Sequence, residues 1–301
     1  MDKPRIFLAE KGAISASRSA EVFGRAGADE GAFLGADATD VVIDANLERL
    51  DIDRPLASLA FDVTENGLAI RADGATVATV QSLNQPTTLA TRDDDGDVTL
   101  TQTGATAFEI AGANGGTTRV DAESGPVDAG VAPGPVTAAR PSPDGELAAN
   151  VFLDSGGTFA AREPVAIFGT AEGAETVTLA QGVRGVRTDA NVERLEIPRA
   201  FDEVDMAVTD AGLALRVDGE TVVGLPSLNQ STEAVFSDGR VNLEQTGPAR
   251  FALTGAEGTA TLDRDRLDGA VTPVADSADD GGSGPPAPQP PMDDEPDTGG
   301  S

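Results

Sequence analysis

Asp44-Ala45-Asn46-Leu47-Glu48 and Asp189-Ala190-Asn191-Val192-Glu193 each place three oxygen-bearing side chains at alternate positions. In a β-strand that spacing puts all three on one face. Asp44, Asn46 and Glu48, and likewise Asp189, Asn191 and Glu193, are therefore candidate ligands for calcium, a hard cation that takes carboxylate and amide oxygens. A structural use competes with this one. Asparagines and carboxylates also satisfy backbone donors in turns between strands, and Arg49 or Arg194 is placed to pair with a nearby Glu.

Other chemistry is sparse. The chain has no His and no Cys, which excludes Ser-His-Asp and Cys-His catalysis, cysteine metal clusters and disulfides. A Ser-Lys pair would need Lys3 or Lys11, and the position matching Lys11 in the second half of the chain is Gly156. Asp297-Thr298-Gly299 spells the short aspartic-protease signature, but without the apolar strands such a carboxylate needs. Asp93-Asp94-Asp95-Gly96-Asp97 lacks the closing Glu of a helix-loop-helix calcium site, and its counterpart is Ser237-Asp238-Gly239-Arg240. Their shared Asp-Gly predicts a hairpin turn. Asn229-Gln230-Ser231 fits the glycosylation triplet, whereas Asn84-Gln85-Pro86-Thr87 does not. A two-carboxylate glycosidase would need a cleft that modules of this size seldom provide. The expectation is a chain without catalytic activity.

Asp and Glu number 51 against 21 Lys and Arg, a formal net charge of −30. Phosphates are repelled, so nucleic acid and anionic membrane surfaces are poor partners, while divalent cations are favoured. No apolar run is long enough to cross a bilayer, and the N-terminus lacks a signal peptide's apolar stretch. The expected location is extracellular or at the cell surface, reached without an N-terminal signal peptide, with the cytoplasm left open.

Self-comparison organises the chain. Asp44–Ile52 recurs as Asp189–Ile197 with seven of nine positions identical. The same register pairs Phe7-Leu8 with Phe152-Leu153, Phe23-Gly24 with Phe168-Gly169, and Ser82-Leu83-Asn84-Gln85 with Ser227-Leu228-Asn229-Gln230. After a two-residue deletion, Gln102-Thr103-Gly104 meets Gln245-Thr246-Gly247. This predicts two tandem copies of one β-rich module, at residues 5–120 and 150–267. A Pro/Gly-rich linker over 121–149 would join them, and a disordered acidic tail over 275–301 would follow. Within a copy, segments such as Leu59–Val63, Gly67–Arg71 and Ala75–Val80 alternate or carry β-branched residues. They are separated by Glu65-Asn66-Gly67 and Ala72-Asp73-Gly74 turns. The expected fold is all-β and sandwich-like, with a roll- or solenoid-like start followed by antiparallel hairpins. The linker predicts few contacts between the copies.

With these blocks in place, the chain resembles repeat segments of large bacterial RTX-like, type I-secreted exoproteins and adhesins. The resemblance rests on Phe23-Gly24-Arg25-Ala26-Gly27-Ala28-Asp29 followed by Asn46-Leu47-Glu48-Arg49-Leu50, and on Phe168–Glu175 followed by Asn191-Val192-Glu193-Arg194-Leu195. It implies a roll-like architecture, calcium in glycine-rich turns and export by a C-terminal signal. This chain departs from the pattern. The first Gly of the Gly-Gly pair is missing, the turn occurs once per copy, Glu175 is set against Asp29, and no C-terminal signal is recognisable. The expected function is a structural or adhesive module, acting as a monomer or as part of a longer chain, with an unknown cell-surface or glycan ligand. A pair of carbohydrate-binding modules is the alternative, opposed by the absence of Trp and Tyr.

Overall fold

Through the first fifty residues, apolar pairs such as Ile6 and Leu8, Ile14 and Ala16, Ala32 and Leu34 are spaced two apart between turns. The apolar residues of each such pair therefore share one face of their short strand. The computed structural model describes residues 3–92, 97–133, 147–171, 173–264, 266–269 and 271–275. The fold is all-β, and the only helical segments among the described residues are two single 3₁₀ turns.

The first half opens with β1 (Arg5–Leu8), β2 (Ala13–Ala16), β3 (Glu21–Phe23), β4 (Gly31–Leu34), β5 (Val41–Ile43) and β6 (Arg49–Ile52). Successive strands alternate between two sheets: β1, β3 and β5 lie in one, β2, β4 and β6 in the other, and neighbours are parallel. Next come β7 (Leu59–Thr64), β8 (Gly67–Ala72) and β9 (Ala75–Val80), an antiparallel meander that joins the first sheet with β9 beside β5. On the other sheet, β10 (Thr87–Thr91) lies beside β6 and leads into β11 (Asp97–Gly104), β12 (Ala107–Ala111) and β13 (Thr117–Asp121). The two-residue β14 (Val127–Asp128) returns to pair with Phe61 and Ala60 of β7.

The second half runs through β15 (Ala149–Phe152), β16 (Thr158–Ala161), β17 (Val165–Phe168), β18 (Thr176–Leu179), β19 (Val186–Thr188) and β20 (Arg194–Glu196) with the same alternation. One meander follows as β21 (Asp205–Thr209), β22 (Gly212–Val217) and β23 (Glu220–Leu225). The other is formed by β24 (Thr232–Phe236), β25 (Gly239–Gly247), β26 (Arg250–Gly255), β27 (Gly258–Asp263) and β28 (Arg266–Asp268).

The halves are not separate. β1 and β15 pair antiparallel, Ile6 opposite Val151 and Phe7 opposite Asn150, which merges the two outer sheets into one of 13 strands. This corrects the expectation of few contacts between them. The outer face at the junction carries Phe23, Phe7, Phe152 and Phe168. Phe7 stacks on Phe23 at 4.8 Å, Phe152 on Phe168 at 4.9 Å, and Phe7 meets Phe152 edge-on at 5.6 Å. The opposite sheets stay apart as sheets of seven and eight strands, ending at β2 and β16.

The linker boundaries also need correction. Ala129 is buried, Val127 and Val131 pack on the core, and Ala148 and Ala149 are fully enclosed. Alternating Val127, Ala129 and Val131 have an apolar face to bury, so residues 122–133 and 147–149, assigned to the linker, lie within the folded structure. At the far end, Val274 bridges Arg240 beyond the expected limit of 267. The expected hairpin loop at 93–96, the linker centre at 134–146 and the tail at 276–301, including Asp297-Thr298-Gly299, lie outside the described residues.

Candidate functional site

The Asp-x-Asn-x-Glu block is not a strand. β5 stops at Ile43 and β6 begins at Arg49, so Asp44–Glu48 forms the corner that carries the chain from one sheet to the other. Leu47 points into the core and is fully buried, as is Val192 in the second half. The polar residues on either side stay half-buried at the corner. The alternation that resembles a strand is thus a turn with one inward anchor.

Each oxygen at this corner has work within the fold. Asp44 Oδ1 accepts hydrogen bonds from the Gly24 amide at 3.0 Å and the Asn46 amide at 3.2 Å, and Asp44 Oδ2 accepts from Asn46 Nδ2 at 3.3 Å. Asn46 Oδ1 accepts from Asn84 Nδ2 at 2.9 Å. Glu48 Oε2 accepts from the Glu30 amide at 3.1 Å, and its Oε1 accepts from Gln85 Nε2. Thr87 Oγ1 donates to the Leu47 carbonyl at 2.6 Å. Three successive corners, at Gly24, Asp44–Glu48 and Asn84-Gln85, are tied together along the stack.

The second half repeats these bonds. Asp189 Oδ1 accepts from the Gly169 amide at 3.0 Å and the Asn191 amide at 3.1 Å, and Asn191 Oδ1 accepts from Asn229 Nδ2 at 3.1 Å. Glu193 accepts from the Glu175 amide at 2.8 Å and from Gln230 Nε2. The shared Ser-Leu-Asn-Gln block thereby acquires a role: its Asn and Gln are the partners of Asn46 and Glu48. The Gln-Thr-Gly block does too, since Gln102 Oε1 accepts from the Leu83 amide at 2.7 Å and Gln245 Oε1 from that of Leu228 at 2.9 Å. Gly24 is needed because a Cβ there would sit 2.8 Å from the Asn46 carbonyl oxygen; at Gly169 the matching distance is 2.6 Å.

The expected Arg–Glu pairing forms at Arg194 but not at Arg49, whose partners are Asp residues. Arg49 is buried and binds Asp51 at 2.8 Å and Asp97 at 3.4 Å, while Arg194 holds Glu196 and Glu233. Lys3, the base left over for Ser-Lys chemistry, binds Asp40 at 2.8 Å.

Two residues of the site went unrecognised in the sequence. Glu30 and Glu175 are both fully buried behind the corner. Glu30 Oε2 accepts from the Arg25 amide at 2.6 Å, Glu175 Oε1 accepts from the Thr170 amide at 3.2 Å, and the other oxygen of Glu30 has no partner. Burial, reinforced by the charges of Glu48 and Asp44, pushes the Glu30 carboxyl up to about 7. In the second half Glu193 is the group raised to about 7, by burial and by its hydrogen bond with Glu175. Burial also acts on Glu175, but the bonds from Glu193 and Thr170 outweigh it and hold that carboxyl below its ordinary value. The two carboxyls titrate as a linked pair. The signal was present in the repeat register, which sets Glu175 against Glu30 and not against Asp29.

Among the described residues, no group of three or more His, Cys, Asp or Glu side chains is arranged to hold a metal ion. No family model, curated protein or solved structure matches the chain.

Proposed function

We propose that the chain is a non-catalytic structural module of a secreted or surface-attached protein, built from two copies of one β-roll unit, with its polar corner residues serving as struts. One observation carries this reading. The oxygens of Asp44, Asn46 and Glu48, and of Asp189, Asn191 and Glu193, are occupied by donors from neighbouring corners in the same pattern in both halves. Lone pairs committed to the backbone and side chains they support are not free to engage a substrate. Each such bond contributes about 0.5–1.5 kcal/mol net, which gives the fold reason to keep these residues.

The junction supports the same reading. A continuous sheet with a row of Phe across its seam is suited to bearing load. Phe7 and Phe152 are 41% and 38% exposed, but they spend ring faces on Phe23 and Phe168. That leaves chiefly ring edges for a sugar and weakens the carbohydrate-binding alternative.

Calcium is proposed at the same corners as a secondary, weak ligand. It would use the carboxylate lone pairs left by the amides, beside the unpartnered Glu30 oxygen. The experiment that separates the roles is Ala replacement of Asp189, Asn191 and Glu193 together. The strut reading expects a lower melting temperature in calcium-free buffer. An unchanged melting temperature there refutes it. A rise in wild-type melting temperature in millimolar calcium, at fixed ionic strength and absent from the triple variant, is the result expected for calcium binding.

A further inference from the structure

The sheets that contain β1 and β15 fuse through those strands, but the sheets that end at β2 and β16 do not. β2 and β16, the end strands of those sheets, face each other across a cleft of about 250 Å³ that reaches down to Ile6 and Phe159. Their hydrogen-bonding groups can be assigned by position. The Gly12 and Ala16 carbonyls accept from Gly31 and Gly35, so Ala13, Ser15 and Ser17 turn their N–H and C=O groups toward the cleft. The Gly157 and Ala161 carbonyls accept from Thr176 and Ala180, so Thr158, Ala160 and Arg162 turn theirs toward it from the other side. Two open strand edges thus confront each other, a template for an added strand.

The charge of the cleft runs against that of the molecule. Arg18 and Arg162 stand exposed on its rim, and neither has a hydrogen-bond or ion-pair partner among the described residues. One edge already holds a carboxylate. Glu163 Oε2 accepts from the Ser15 amide at 3.3 Å, and its other oxygen binds the Ser15 hydroxyl. The edge of β2 therefore accepts an acidic side chain as a guest, here one from the opposing half.

We propose that the cleft between β2 and β16 binds an extended acidic peptide segment of a partner protein. The segment adds as a strand to these edges and places its carboxylates against Arg18, Arg162 and the Ser15 site held in the free protein by Glu163. The corner residues play no part in this, so its failure leaves the strut reading standing.

The test uses the full chain and a blocked octapeptide, (Val-Asp)4, with (Val-Lys)4 as its charge-reversed control. The acidic peptide is expected to bind with a Kd on the order of 1 mM or tighter and to slow amide exchange at Ser17, Thr158 and Ala160. Glu163→Ala should tighten binding by freeing the Ser15 amide. The Arg18→Glu, Arg162→Glu double variant should abolish it. Ser17→Pro with Ala160→Pro removes two edge amides, a substitution edge strands tolerate, and should abolish binding while melting stays close to wild type. Binding that survives the prolines, or equal binding of (Val-Lys)4, would overturn the proposal. So would the absence of binding to both wild type and Glu163→Ala. Dimerisation of Glu163→Ala without peptide would name a second copy of the chain as the occupant and overturn it likewise.

Discussion

Asn46 and Asn84 lie on adjacent corners of the first half, and the side-chain amide of Asn84 donates to the side-chain oxygen of Asn46 at 2.9 Å. Asn191 and Asn229 repeat the bond at 3.1 Å. The pair joins segments far apart in sequence and stabilises the stack only once both corners are formed. Ala replacements at Asn46 and Asn84, singly and together, should give a coupling energy of about 0.5–1.5 kcal/mol by urea denaturation. Additive losses would mean the bond contributes nothing.

Gly24→Ala brings a methyl group within 2.8 Å of both the Asn46 carbonyl and Glu30 Oε2. The corner has to shift, and overpacking of this kind costs about 1–3 kcal/mol. Gly35→Ala meets nothing within 4 Å and should leave stability near wild type. Equal midpoints for the two variants would contradict the crowding seen at Gly24.

Stability should fall as pH rises from about 5 to 8. The carboxyls of Glu30 and Glu193 are raised to about 7 from an ordinary value of 4.5. The fold therefore favours their protonated forms. That contribution is complete below about pH 4.5 and is lost as pH climbs through 7. General repulsion at a net charge of −30 acts in the same direction, so the variant decides. Glu30→Gln, neutral at every pH, should flatten the melting curve's pH dependence in this window. A dependence as steep as wild type would remove Glu30 as a source of the effect and leave Glu193 and overall charge.

A protease site introduced within residues 134–146 should be cut without separating the halves. β1 and β15 share four paired positions, and the Phe row spans their seam. The two fragments are expected to co-elute on size exclusion. Phe7→Ala with Phe152→Ala should shift the nicked protein toward separate fragments. Immediate separation of the unsubstituted nicked protein would show that the seam does not hold.

Much of this was legible in the sequence. Strand segments such as Gly67–Arg71 and Ala75–Val80 carry their alternation openly, and the Asp73-Gly74 turn between them is where it was expected. The repeated blocks marked the residues that meet at the corners, because hydrogen-bonded partners recur together. Three things were hidden. Asp44–Glu48 has the period of a strand, yet its alternation comes from a turn anchored by Leu47. Glu30 sits one position from Asp29, the acid read as the counterpart of Glu175, and a buried carboxyl looks like any other Glu in a chain with 51 acidic residues. The pairing of β1 with β15 leaves no local mark, since Phe7 and Phe152 have the same apolar character whether they fill a core or cover a seam.

The placement of β1 has a consequence for synthesis. This strand, made well before its partner β15, sits in the middle of the widest sheet, with β3 on one side and β15 on the other. At ~5–20 residues per second, the interval from Arg5 to Ala149 is on the order of ten to thirty seconds. Throughout it the nascent first half waits with the flank of β1 unclaimed. A neighbouring chain on the same message offers an identical β15, and a swapped pair made there would satisfy the same register. One closed molecule and an exchanged pair therefore compete for the same strand edge.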